Sequence, residues 1–136
     1  MEQIMNVLIV EDDAISRKLI EMLIKPLVKK YDLAKDGLIA LDFFNKSIDE
    51  ENRYDLVLLD IMLPKMDGQT LLQEFRKKEK TKGICGKNSC KIIMVSALGD
   101  AGNIMEAFKN QCDGYLTKPY NKKQLIEELK KLELIS

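Results

Sequence analysis

Four short apolar runs punctuate this chain, and each stops at a polar or charged residue. Val7-Leu8-Ile9-Val10 runs into Glu11, Asp12 and Asp13, and Leu56-Val57-Leu58-Leu59 runs into Asp60. Ile92-Ile93-Met94-Val95 runs into Ser96, and Gly114-Tyr115-Leu116-Thr117 runs into Lys118 and Pro119. Runs that are continuously apolar, with no polar alternation, predict strands covered on both faces, the pattern of a parallel sheet. Between the runs the apolar period lengthens to that of a helix. Ile15, Leu19, Met22 and Leu23 recur at helical spacing in a helix over 14–25, with Pro26 marking its end or a kink. A second strand near 31–34 leads through Lys35-Asp36-Gly37 into a helix carrying Ala40, Leu41 and Phe44, after which Asp49-Glu50-Glu51 reads as a solvated loop.

The third strand covers 55–59, with Asp60 at its carboxyl end and Pro64 and Gly68 in the turn that follows. A third helix begins near Gln69, turns Leu71, Leu72 and Phe75 inward, and ends in the basic cluster 77–80, where cations suit the negative end of the helix dipole. Residues 81–90 make a connection longer than most loops and enter the fourth strand, 91–95, from its amino end. A helix over 101–110, a strand over 114–117 and a last helix with Leu125, Leu129 and Leu132 on its core face complete the pattern. Ile126, Leu134 and Ile135 give that last helix more apolar surface than one stripe uses, which leaves dimerisation open.

Five strands interleaved with five helices predict βα units with right-handed crossovers and helices on both faces of one parallel sheet. In such sheets ligands lie beyond the carboxyl ends of the strands, where the strand order reverses. The polar residues that end the four apolar runs would all meet at that edge.

Composition narrows the chemistry. At 136 residues and 46% hydrophobic content, residues 1–136 fit a single domain that builds a core without disulfide staples. Lys and Arg together number 22, as do Asp and Glu, so the electrostatic footprint of a direct nucleic-acid binder is missing. No basic leader opens the chain and no apolar run approaches the roughly 18 residues of a membrane span, so a cytoplasmic protein with no membrane partner is expected. Cys85, Cys90 and Cys112 lack paired spacing and read as free thiols. The absence of histidine removes serine and cysteine triads, H-E-x-x-H metal sites and any phosphohistidine of the chain's own. Neither a P-loop nor a dinucleotide-binding glycine pattern is present.

Val10-Glu11-Asp12-Asp13, Leu58-Leu59-Asp60-Ile61-Met62-Leu63-Pro64 with Met66-Asp67-Gly68, Val95-Ser96-Ala97, and Tyr115-Leu116-Thr117-Lys118-Pro119 together resemble the receiver domain of two-component response regulators. Each motif is weak alone; four in the right order, at the right strand ends, are highly specific. The resemblance runs from the first strand to the last helix and implies a flavodoxin-like, doubly wound α/β fold with strand order 2-1-3-4-5.

By that resemblance Asp60 is the phosphoacceptor, taking a phosphoryl group from a phosphohistidine on a sensor kinase or histidine phosphotransfer protein. Glu11 and Asp12 resemble the acidic pair that binds Mg²⁺, with Asp12 the direct ligand and Arg17 five residues on; Asp60 and the backbone carbonyl of Met62 would complete the protein's share. Asp13 is expected only to cap the first helix. Ser96 and Lys118 resemble the hydroxyl and ammonium that contact the phosphoryl oxygens, and the Lys118-Pro119 bond resembles one that is cis in this family. Tyr115 resembles the aromatic switch, with output to a downstream partner through the face formed by helix four, strand five and helix five. Lifetime of the phosphoryl group would depend on variable positions such as Met62 and Leu98.

The resemblance implies a signalling domain that catalyses only its own phosphorylation and dephosphorylation. A receiver excised from a hybrid histidine kinase or a multidomain regulator is an alternative of the same kind. An aspartate-nucleophile phosphatase of the haloacid dehalogenase type is a rival, but such enzymes place a second aspartate two residues after the nucleophile, where this chain has Met62. A receiver-like module that works by contact alone is the other rival, and it would be expected to have lost one of the acidic, acceptor or lysine positions.

Overall fold

The computed structural model describes residues 4–63, 65–97 and 101–135; Pro64 and Leu98 therefore lie outside the described residues. In chain order the elements are β1 (Ile4–Val10), α1 (Ala14–Ile24), β2 (Val28–Ala34), α2 (Gly37–Asp49), β3 (Leu56–Asp60), α3 (Gly68–Thr81), β4 (Lys91–Ala97), α4 (Ala101–Lys109), β5 (Gly114–Lys118) and α5 (Lys122–Lys131). All neighbouring strands are parallel, in the order β2-β1-β3-β4-β5.

The apolar runs are buried because successive side chains serve two cores at once. Leu8, Val10, Val57, Leu59, Ile92 and Met94 face one side and pack with Ala40 and Phe44 of α2 and Leu71, Leu72 and Phe75 of α3. Val7, Ile9, Leu56, Leu58, Ile93 and Val95 face the other, against Ile20 and Ile24 of α1 and Leu125 and Leu129 of α5. Across the first core the Phe44 and Phe75 rings stack with centroids 4.2 Å apart.

Several expectations are corrected at the element level. The stripe of Ile15, Leu19 and Met22 on α1 points to solvent, with Ile15 73% exposed, while Ile20 and Ile24 take the core face. The helix is apolar on more than one side, and spacing alone does not choose between the sides. The strand expected from residue 31 begins at Val28, its outer residues Lys29 and Lys30 exposed, as suits an edge strand that pairs only with β1. Asp49 does not lie in a solvated loop; it ends α2 and pairs with Lys78 (3.1 Å) and Lys82 (3.5 Å) beyond it on the chain. The spare apolar surface expected on the last helix is largely used, since Ile135 is buried and Ile126 and Leu134 pack on the second core. Exposed apolar side chains lie instead on α1 and on α4, where Met105 and Phe108 face outward.

The 81–90 connection, which contains a single 3-10 turn at Gly86–Asn88, arrives at the amino end of β4, on the edge away from the polar strand ends. An ionic network ties that edge together: Arg76 of α3 donates to Glu79 (2.7 Å), to Asp113 (2.7 Å) and to the Cys90 carbonyl (2.8 Å). Glu79 in turn accepts from the Cys90 N–H, and Asp113 from the Ile92 N–H, so α3, β4 and the start of β5 share one set of charges. All three cysteines are free.

Candidate functional site

The chain crosses from β2 back over β1 to β3, so the strand order reverses between β1 and β3 and leaves a crevice at their carboxyl ends. The register places Val10 beside Leu59, Asp60 beside Val95, and Ala97 beside Lys118, so β1, β3, β4 and β5 all end at this edge. Glu11 is held by its own N–H bonding the Ala34 carbonyl at the end of β2 (3.1 Å). Arg17, one turn into α1, donates from Nη1 to the carbonyls of Glu11 (3.1 Å) and Asp12 (3.2 Å), which pins the backbone of the acidic run from the other side.

The three acidic residues after β1 have three different fates. Asp13 caps α1, its Oδ2 accepting from Ser16 N at 2.8 Å, and that N–H holds the Asp13 carboxyl below the usual carboxylate range. Asp12 is exposed at the mouth of the crevice. Glu11 is 1% exposed and turns inward, where one oxygen accepts from Asp13 N and the other from Lys118 Nζ at 2.6 Å.

Asp60 is 6% exposed at the last position of β3. One of its oxygens accepts from Met62 N (3.1 Å) and the other from Lys118 Nζ (2.9 Å). Gly68 at the start of α3 lets that helix approach the end of β3: a methyl group there would sit 2.6 Å from the Asp60 carbonyl oxygen and 2.6 Å from Ile61 Cα. Neither atom is free to swing away, so only glycine fits. Carboxylate oxygens of Glu11, Asp12 and Asp60 all lie within 4.8 Å of one another. Three carboxylates against one ammonium leave surplus negative charge, and this donor set of hard oxygens suits a small hard divalent cation such as Mg²⁺.

The electrostatics follow from that crowding. Burial pushes Glu11 up to about 7, with Asp60 adding to the rise and Lys118 opposing it. Burial alone would lower Lys118, but the Glu11 and Asp60 carboxylates outweigh it and hold the ammonium above its ordinary value.

Ser96 is buried near the end of β4, and its hydroxyl accepts from the Tyr115 hydroxyl while donating to the Ala97 carbonyl (3.3 Å). Tyr115 also faces Phe108 of α4, ring centroids 6.4 Å apart. The Lys118-Pro119 peptide bond is cis, as the resemblance implied. The structure thus brings Glu11, Asp12, Asp60 and Lys118 into one cluster, and pairs Ser96 with Tyr115 beside it. Ser96 spends its hydroxyl on the tyrosine and the Ala97 carbonyl rather than on Asp60 or Lys118. Arg17 is announced in the sequence only by its spacing, and no motif announces Lys65, whose ammonium lies 3.3 Å from Asp36.

Residues 7–130 match the sequence profile of the response regulator receiver domain. The chain belongs to the receiver domain family. Among its relatives, Regulatory protein VanRB of Enterococcus faecalis is 35% identical over 127 residues, which is 93% of this receiver and 51% of VanRB. Hybrid signal transduction histidine kinase I of Dictyostelium discoideum is 34% identical over 122 residues, 90% of this receiver but 7% of that kinase. The receiver thus spans about half the length of the first relative and a small part of the second. The receiver domain of the histidine kinase CKI1 from Arabidopsis thaliana, solved with Mg²⁺ and BeF₃⁻, superposes with a TM-score of 0.78 at 28% identity, covering 94% of this receiver and 89% of that chain. The doubly wound, five-stranded fold expected from the sequence is therefore both observed and shared, and the receiver is a two-component signalling domain. No described helix is long and apolar enough to cross a membrane.

Proposed function

We propose that Asp60 accepts a phosphoryl group from a phosphohistidine on a sensor histidine kinase or histidine phosphotransfer protein. The single observation that carries this reading is the meeting of Glu11, Asp12 and Asp60 within 4.8 Å, with Lys118 bonded to the acceptor. In the transfer an Asp60 carboxylate oxygen attacks phosphorus, the P–N bond breaks, and its electron pair stays on the imidazole nitrogen. The chain itself holds the nucleophile still: Met62 N and Lys118 Nζ each bond one Asp60 oxygen, and a carboxylate keeps further lone pairs beyond those two bonds. Glu11, Asp12, Asp60 and the Met62 carbonyl would hold Mg²⁺, which when bound neutralises the phosphoryl oxygens as they approach an acidic site.

After transfer, Lys118 and Ser96 would contact the phosphoryl oxygens in charge-assisted bonds that the unmodified site lacks. Ser96 must then redistribute its bond with Tyr115, and Tyr115 touches Phe108 on the exposed side of α4. That chain of contacts supports output through the α4, β5 and α5 face, where Met105 and Phe108 await a partner. A change from mostly inactive to mostly active requires roughly 5 kcal/mol of differential stabilisation, within reach of two or three such bonds. The receiver would act in the cytoplasm, where such donors reside, and would speed only its own phosphorylation and dephosphorylation. It serves equally as part of a hybrid kinase or of a longer regulator.

Incubation with a small acyl phosphate and Mg²⁺ tests the reading. One phosphoryl group per chain, with no sustained turnover of phosphomonoesters, is expected. Sustained turnover without a labelled protein would favour the phosphatase, and neither label nor turnover would favour a module that works by contact alone.

A further inference from the structure

Both halves of the acidic cluster lean on the same short turn. At one end of the turn the Ala34 carbonyl accepts from Glu11 N (3.1 Å) and fixes the backbone of the acidic pair. At the other end, α2 starts hard against the loop that follows Asp60. A methyl group on Gly37 would lie 2.5 Å from the Met66 carbonyl oxygen and 2.7 Å from Met66 Cβ. The first of these is a backbone atom, so a larger residue forces the loop itself to move.

Asp36 adds a charged tie. One of its oxygens caps α2 by accepting from Ile39 N (2.9 Å), and the other lies 3.3 Å from Lys65 Nζ. Lys65 stands at φ +68°, a conformation L-residues seldom adopt without an outside hold, and the buried Asp36 carboxylate supplies one. The loop so held is the one whose Met62 N–H bonds the acceptor carboxylate and whose Met62 carbonyl is the expected fourth ligand.

We propose that Gly37 and Asp36 are positioning residues for the cation: the β2–α2 turn sets the distance between the Glu11–Asp12 carboxylates and the acceptor loop, and Mg²⁺ affinity depends on it. This rests on the reading of the cluster as a Mg²⁺ site. Groups that orient ligands without touching the metal typically change its affinity by roughly 10- to 100-fold when removed.

The test is a calorimetric Mg²⁺ titration of the whole chain, with no phosphodonor present. Gly37→Ala is expected to weaken Mg²⁺ binding by about tenfold or more. Lys65→Gln, a surface change that leaves the α2 cap intact, should weaken it by a smaller factor. Ala40→Gly, in the same helix but away from the loop, controls for lost stability and should bind like wild type. A folded Gly37→Ala that binds Mg²⁺ as tightly as wild type overturns the positioning role while leaving the metal site standing. If Gly37→Ala does not fold, Lys65→Gln decides: an unchanged affinity overturns the proposal. Should the wild-type chain itself bind no Mg²⁺, the reading of the cluster fails and the positioning role falls with it.

Discussion

Lys118 bridges two buried carboxylates, and this makes it the residue whose removal separates binding from response. Without it, Asp60 keeps its Met62 N–H bond and its place among the three carboxylates, so the nucleophile survives. What is lost is the cation that would follow the phosphoryl oxygens inward. Lys118→Ala is therefore expected to retain slowed labelling of Asp60 while the NMR shift of Tyr115 on labelling shrinks; a full Tyr115 response in Lys118→Ala would contradict this. Glu11 makes a second prediction. Its folded value of about 7 lies above the ordinary 4.5 that it regains on unfolding. Between those values the native chain holds a proton that the unfolded chain has released, so this contribution to stability is present at low pH and lost as pH rises through about 7. In a chelator, the melting temperature should be higher near about pH 5 than near about pH 8, and Mg²⁺ should offset the loss at the higher pH. A melting temperature that rises over the same window in the chelator would show that Glu11 does not titrate there.

At the scale of elements, the structure adds charge pairs that no local pattern announces. Arg76 is the clearest, since its partners Glu79, Cys90 and Asp113 reach it from three parts of the chain. Removing the guanidinium would strand the buried Glu79 carboxylate, and breaking such a pair costs about 3 kcal/mol or more. Urea denaturation of Arg76→Ala should register that loss with Mg²⁺ affinity unchanged, because the network lies at the sheet edge away from the carboxylate cluster. The same contrast explains what could be read from sequence. Val7 to Val10 and Leu56 to Leu59 announce buried strands because both faces are covered and every position is apolar. The α1 helix defeats that logic, since Ile15, Leu19 and Met22 form as good a stripe as Ile20 and Ile24, and only the packed sheet shows which one is covered. Asp49 reads as loop from its acidic neighbours and finds Lys78 and Lys82 only once α2 and α3 lie side by side.

For the whole molecule, one topological fact does most to make the site. The reversal of strand order between β1 and β3 sets Glu11 and Asp12 opposite Asp60, and the parallel register carries Ser96 and Lys118 to the same edge. Those residues were legible because each ends an apolar run, so a strand assignment also places them at one edge of the sheet. Arg17, Asp36 and Lys65 were not legible as supports, because their roles depend on side-chain contacts at 3.1 to 3.3 Å that spacing does not encode. Signal output would likewise be a property of the whole domain, running from the acceptor through Ser96, Tyr115 and Phe108 to the outer side of α4. All of it depends on an Asp60 carboxylate oxygen being the nucleophile toward phosphorus. The most direct measurement is peptide mapping by mass spectrometry after exposure to a small acyl phosphate with Mg²⁺. The expected result is a single phosphoryl group on the peptide containing Asp60, absent in a chelator and absent in Asp60→Asn; full labelling of Asp60→Asn, or a label on any other residue, would contradict the assignment.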